Sequence, residues 1–286
     1  MAVVLITGCS SGFGLEAALA FARRGDTVCA TMRNLTKADA LRKRAADEGV
    51  EVDLEALDVT DDMSVAKGIP VVVERHGPID VLVNNAGVGY GGPVETMPFD
   101  AAQSLMDTNF WGAVRTIRAV LPAMREKRAG VIINVTSLSG LIPGALYTGM
   151  YAASKHALGT LSEALAAEVA PFGIRVVCIA PGFFATEIST NSDTTDDGIA
   201  GSAYETDASW WTTFMESSVS GGADAGVVAD AIVSAATDPE TPLQRPVGDD
   251  ADLYLGLWDQ TRTYERWMEA AIPVVEMTAG PRPTPT

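Results

Sequence analysis

The sequence predicts a doubly wound α/β domain built on a parallel sheet. Two observations carry this. Short runs rich in valine and isoleucine alternate with amphipathic stretches of helical period through roughly the first 250 residues, and a glycine-rich turn follows directly on the first run. Parallel strands require crossover connections, and intervening helices supply them on both faces of the sheet. With 286 residues, 47% of them hydrophobic, the chain is long enough to bury the core such a sheet needs.

The expected strands are 2–7, 27–32, 51–57, 79–84, 130–136 and 174–180, apolar runs of the kind buried on both faces, with a last short one at 244–248. Helical patterns occupy 14–24, 36–48, 61–76, 101–127 and 152–170, then 224–237 and 252–271. In 61–76, Gly68 and Pro70 interrupt the pattern; a mid-helix proline costs roughly 3 kcal/mol, so a kink or a break is expected. Segment 183–222 departs from the rhythm. It is rich in Ser, Thr, Asp and Gly yet carries Phe183, Phe184, Trp210, Trp211, Phe214 and Met215, and reads as a substrate lid or a disordered insertion. Residues 249–286 read as a C-terminal helical extension with Trp258 and Trp267, and 280–286 as a frayed end. Neither a repeat nor an interdomain linker is visible, so 1–286 reads as a single domain.

Charge narrows the function. Twenty basic against 37 acidic residues give a net charge of −17, which disfavours nucleic acid and anionic membrane surfaces as partners. Cys9, Cys29 and Cys178 are scattered, with neither a disulfide framework nor metal-ligand spacing, and His76 and His156 lie far apart, so no metal is expected. A reducing, cytoplasmic location fits. The N-terminus lacks the pattern of a signal peptide, and no run of about 20 apolar residues suggests a membrane span.

The chemistry begins at Gly8-Cys9-Ser10-Ser11-Gly12-Phe13-Gly14, between the first strand and the first helix. Glycines let the backbone approach a pyrophosphate, and the helix N-terminus offers free N–H groups and the positive end of its dipole. An ordinary tight turn is the bland alternative. At the end of the second strand, where an acidic residue would bind a ribose 2′-hydroxyl, stand Met32 and Arg33. A guanidinium suits a 2′-phosphate, which favours NADP(H) over NAD(H); a solvated loop charge is the other reading. Asp58 and Val59 end the third strand, with Asp58 placed to accept from an adenine amino group. Asn85, Ala86 and Gly87 end the fourth, small enough to pass close beside a cofactor.

Tyr151 and Lys155 share one helix face. A neighbouring ammonium favours the phenolate and brings the tyrosine toward useful acid–base range. Ser137 ends the fifth strand and reaches the same crevice, where a hydroxyl can hydrogen-bond a carbonyl. Asn109 stands mid-helix, where asparagine is disfavoured, which suggests a specific task; a surface or capping asparagine is the alternative.

In combination these motifs, from the glycine turn through Asp58-Val59, Asn84-Asn85-Ala86-Gly87, Asn109, Ser137, Tyr151/Lys155 and Pro181-Gly182 to Thr186, resemble the short-chain dehydrogenase/reductase family over about residues 2 to 248. The wording of the turn is similar to that of the hydroxysteroid and retinol branches. The resemblance implies a seven-stranded Rossmann-like sheet, a nicotinamide cofactor touching Pro181, Gly182, Phe184 and Thr186, and a homodimer or homotetramer. It implies that Tyr151 exchanges a proton with the substrate oxygen, that Ser137 polarises that oxygen, that Lys155 holds the cofactor ribose, and that Asn109 holds a water leading to solvent. In the family the serine precedes the tyrosine by 13 positions; here that position is Leu138, and Ser137 fits best, ahead of Ser139 and then Thr136. The lid aromatics suggest a hydrophobic carbonyl or alcohol substrate, although packing of the lid or a subunit contact explains them equally. A non-catalytic NADP(H)-binding sensor or scaffold is the rival reading. Epimerisation of a nucleotide sugar and a membrane-associated lipid reductase are less well supported.

Overall fold

The computed structural model describes residues 1–89, 91–185 and 198–284. Its centre is a sheet of β1 (Val3–Thr7), β2 (Thr27–Met32), β3 (Asp53–Ala56), β4 (Val81–Asn84), β5 (Gly130–Val135), β6 (Ile174–Pro181) and β7 (Gln244–Val247). All pairings are parallel, in the order β3-β2-β1-β4-β5-β6-β7. The order reverses between β1 and β4, and a crevice opens beyond the carboxyl ends of strands at such a switch. The glycine turn follows β1 and Asn85–Gly87 follow β4, so both motifs meet there.

Helices α1 (Gly12–Arg23), α2 (Asp39–Glu48) and α3 (Asp62–His76) alternate with the first strands. Asn34 caps a short 3-10 turn, Leu35–Lys37, that precedes α2, so the stretch expected as one helix over 36–48 is two pieces. By contrast α3 runs unbroken through Pro70, against the sequence expectation. Its Val65, Ile69 and Val72 are buried beside Leu57, and three buried side chains at roughly 1.5–3 kcal/mol each outweigh the one hydrogen bond that proline removes.

The long helix expected over 101–127 is divided. Between α4 (Phe99–Met106) and α5 (Gly112–Lys127) lies a single wide π turn, Asp107–Trp111. Such a turn inserts one extra residue and re-aims the side chains beside it. Here it carries Asn109 inward to 1% exposure. Helix α6 (Gly149–Val169) leads into β6.

Beyond the sheet, α7 (Glu205–Ser220) lies within the segment 183–222, and α8 (Ala225–Thr237), capped by Asp224, packs on α1. The single helix expected over 252–271 is a hairpin of α9 (Asp249–Thr261) and α10 (Tyr264–Ala279), broken at Arg262 in the left-handed region with φ 53°. Two hydrophobic clusters flank the sheet. A third joins α7, α9 and α10 to Leu138 and Ile142 beyond β5, and buries Trp210, Trp211, Phe214 and Trp267. The end expected to fray is held as far as it is described: Arg282 forms a two-pronged pair with Asp207 of α7, and the Trp210 indole donates to the Gly280 carbonyl.

Candidate active site

The glycine turn is clamped from β4. The Asn85 amide donates to the carbonyls of Thr7 and Gly8 at 2.9 and 3.0 Å, and the Thr7 hydroxyl accepts from the backbone N–H groups of Asn85 and Ala86. Gly8 lies at φ 75°, and a Cβ there would stand 2.7 Å from the Ala86 Cα. Ser11 precedes α1 with no side-chain cap and no acidic residue follows in the first turn, so the N–H groups of that turn keep their capacity for an anion. Ser10, Ser11, Gly12 and Phe13 line a cleft of about 1470 Å³ that continues past Arg33, Asp58, Val59, Ala86 and Gly87 to Ser137, Tyr151 and Lys155. This exceeds the roughly 300–1,000 Å³ of a typical small-ligand pocket.

Arg33 is exposed at the rim of the cleft beside Met32, which is buried. One carboxylate oxygen of Asp58 accepts from both the backbone and the hydroxyl of Thr60, so this residue also holds its own turn. Phe13 meets Phe184 edge-on with centroids 5.5 Å apart, which ties the turn to the chain just after β6. Pro181 and Gly182 line the cleft's end; the Asp250 carboxylate accepts from the Phe183 N–H at 2.6 Å and stands where any side chain on Gly182 would go. Thr186 lies outside the described residues.

Ser137, Tyr151 and Lys155 converge. Burial of the Tyr151 phenol pushes it above its ordinary value of 10.0, and the neighbouring Ser137 hydroxyl, the smaller effect, favours its ionised form. Lys155 Nζ lies 5.8 Å from the Tyr151 ring centroid and donates to the Val135 carbonyl at 3.0 Å. Burial pulls it from 10.5 to about 8. The expectation that the ammonium brings the phenol down is therefore not met in the protein alone: burial opposes charge on both groups. Gly140 lets the Ser137 loop press on α6, since a Cβ there would meet the Lys155 carbonyl oxygen at 2.9 Å. Ser139 donates its N–H to the Ser137 oxygen, and the Thr136 hydroxyl turns away to the Ile179 carbonyl.

Asn109 is anchored through its side chain. Its amide grips the Val88 backbone on both sides, accepting at 2.8 Å and donating at 3.0 Å, and donates again to Ser154 at 3.2 Å. Both amide hydrogens are thereby committed. His156 bonds the Ala152 carbonyl of its own helix, a structural contact.

Sequence reasoning missed four further residues. Asp250 is one. The other three form a latch: the Tyr147 hydroxyl donates to Asp207 at 2.6 Å, and Arg282 grips the same carboxylate. Arg282 holds that carboxyl below its usual range, and burial together with Asp207 pushes the Tyr147 phenol to about 12. Tyr147 lies at φ 57°, an unusual conformation for a bulky residue and the one signal a local reading has no means to supply. No helix among the described residues is long and apolar enough to cross a membrane, and no His, Cys, Asp or Glu cluster among them suits a metal.

Lys155 makes stability pH-dependent in a defined direction. Its folded value of about 8 lies below the unfolded 10.5, so between those limits the unfolded chain binds the extra proton and stability rises with pH. Below about 8 the buried charge costs its full amount, about 3 kcal/mol. Thermal melts of wild type and Lys155→Met should therefore show wild type gaining on the variant as pH rises from 7 to 10. A difference independent of pH contradicts the assignment.

A parallel sheet with a glycine turn at its switch point and a Ser–Tyr–Lys group at the same edge defines a dinucleotide-binding fold of the dehydrogenase class. The family model described as short chain dehydrogenase matches residues 2–197, and the chain belongs to that family. It is similar to bovine (Bos taurus) retinol dehydrogenase 8, 44% identical over 188 residues, which are 64% of this chain and 59% of that protein's length. Among solved structures it resembles a short-chain dehydrogenase from Streptomyces avermitilis, 34% identical over 96% of this chain and 98% of that one, with a TM-score of 0.80. It also resembles a variant actinorhodin polyketide ketoreductase solved with NADPH, 28% identical over 87% and 97%, with a TM-score of 0.73.

Proposed function

We propose that the chain interconverts a hydrophobic ketone or aldehyde and its alcohol, using NADP(H). The observation that carries this is the convergence of Ser137, Tyr151 and Lys155 on the far end of the cleft that starts at the glycine turn. The cleft's size and the uncapped start of α1 suit a dinucleotide. Gly8 to Gly14 would hold its pyrophosphate, Asp58 and Val59 its adenine, Lys155 its inner ribose, and Ala86, Gly87, Pro181, Gly182 and Phe184 its nicotinamide end. When bound, the nicotinamide supplies or accepts the hydride.

The protein's own share is positioning and proton transfer. Ser137 fixes and polarises the substrate oxygen, where negative charge develops during reduction. Tyr151 gives its phenolic proton to that oxygen, and takes it back in oxidation. Lys155, once charged beside the tyrosine, favours the phenolate that results. Asn109 acts through Val88, holding the chain beyond β4 against α6. Trp211 and Met215 line the cleft, which supports an apolar substrate, while Trp210, Trp211 and Phe214 also pack α7 against α9 and α10. Retinol, named in the bovine relative, is an apolar alcohol, and the ketoreductase was solved with NADPH; both support the reading. A cytoplasmic homodimer or homotetramer, acting as one domain, completes the proposal.

The test is consumption of NADPH with a panel of hydrophobic ketones, run in reverse with alcohols and NADP⁺. Turnover in either direction supports the reading. Binding of NADPH without turnover in any case supports a binding protein instead. For the cofactor, Arg33→Ala should raise KM for NADPH about 10-fold or more and leave KM for NADH little changed, since a charge-assisted bond to a 2′-phosphate is worth roughly 1.5–3 kcal/mol. Equal effects on both cofactors would remove Arg33 from the specificity site.

A further inference from the structure

Beside the main cleft lies a second chamber of about 70 Å³, between α7 and the α9–α10 hairpin. Its far wall is Ile142, Phe214, Trp267, Ala271 and Val275. Its near wall belongs also to the cleft: Leu138, Ser139, Thr148, Phe183, Trp211 and Met215 line both. Leu138 and Ser139 directly follow Ser137, so the chamber begins at the catalytic edge itself. Among the described residues no charged side chain lines it, in a protein where charged residues make up 20% of the sequence.

Protein interiors are packed to near-crystal density and keep few voids. Apolar cavities remain dry, and an engineered one of about 150 Å³ takes a benzene. A chamber of about 70 Å³ therefore accepts a slender apolar arm of about three carbons rather than a ring. The thioethers of Met215 and Met268 on its wall can adjust to such an arm. Size, a mostly apolar lining and continuity with the reacting end together single out one occupant.

We propose that this chamber is a subsite for the substrate, taking the unbranched apolar end of one arm of the carbonyl compound. The proposal rests on the reading of the chain as a carbonyl reductase, and deepens it by naming the substrate class: ketones or aldehydes with one slender aliphatic arm, in preference to those flanked on both sides by rings.

The experiment is a series of methyl ketones with linear arms of increasing length, assayed with NADPH on the full chain. Over a span of about three methylenes kcat/KM should rise about fourfold per methylene, as complete burial of each predicts, and then level off. Ala271→Phe, which fills the chamber from α10, should flatten that span, lowering the ratio of long-arm to short-arm kcat/KM. Ile272→Ala, which enlarges it, should extend the rise to longer arms, and serves if the first variant does not fold. Turnover of ketones with no dependence on arm length in wild type, or a dependence that both variants leave unchanged, overturns the subsite while the reductase reading stands. If no ketone or aldehyde turns over although NADPH binds, the reductase reading falls and the subsite with it.

Discussion

Tyr151→Phe should lower kcat about 10²- to 10⁴-fold with NADPH binding intact, the range that a positioned general acid contributes. The change removes one oxygen atom and keeps the ring. Lys155 keeps its bond to the Val135 carbonyl, and the Ser137 oxygen still accepts from the Ser139 N–H, so the surrounding geometry has independent support. What disappears is the proton that the substrate oxygen receives. Single-turnover rates at saturating NADPH isolate this step, and nucleotide fluorescence reports binding separately. The phenol's value lies above 10.0, so at neutral pH it carries the proton needed for reduction. A variant as active as wild type would show that another group is the acid and would dissolve the catalytic assignment.

Gly14→Ala should be nearly as damaging, through binding rather than chemistry. The new Cβ would stand 2.4 Å from the Gly8 carbonyl oxygen and 2.4 Å from Asn85 Nδ2. Neither is the loose end of a flexible side chain: one is backbone, and the other is the amide that holds the turn closed through Thr7 and Gly8. The turn must open, which removes the close approach that a pyrophosphate needs. We expect NADPH affinity to fall about 100-fold and stability to fall by about 1–3 kcal/mol, read by titration and by thermal melting. Gly256→Ala in α9 is the matched control, since its Cβ would meet nothing within 4 Å; there the same change should be neutral or slightly stabilising. Similar affinities for the two variants would mean that the turn is looser than its contacts imply.

The glycine turn and the Tyr151–Lys155 pair were legible because their signals are local. A glycine run after a strand, and a tyrosine four residues before a lysine on one helix, announce themselves within a few positions. The strands were equally plain, since a sheet buried on both faces demands continuous apolar runs. What escaped depends on partners distant in sequence. Pro70 looked like a break, and tertiary burial of Val65, Ile69 and Val72 kept the helix whole. Asn109 was marked as misplaced in a helix; that the helix widens there to turn it inward was not readable from composition. Asp250 and the Asp207–Arg282 latch join residues 67 and 75 positions from their partners, with no pattern to connect them. The expected influence of Lys155 on Tyr151 followed from spacing alone, which carries no information on desolvation.

The third hydrophobic cluster has a consequence for how such a protein diverges. It joins α7, α9 and α10 into a unit that meets the end of the sheet at Leu138, Ile142 and Phe183, apart from the two clusters that flank the sheet. Substitutions in separately packed regions combine almost additively. A lineage can therefore accumulate changes in the helical cap, and reshape the wall it presents to the cleft, while the sheet and its glycine turn are inherited unaltered.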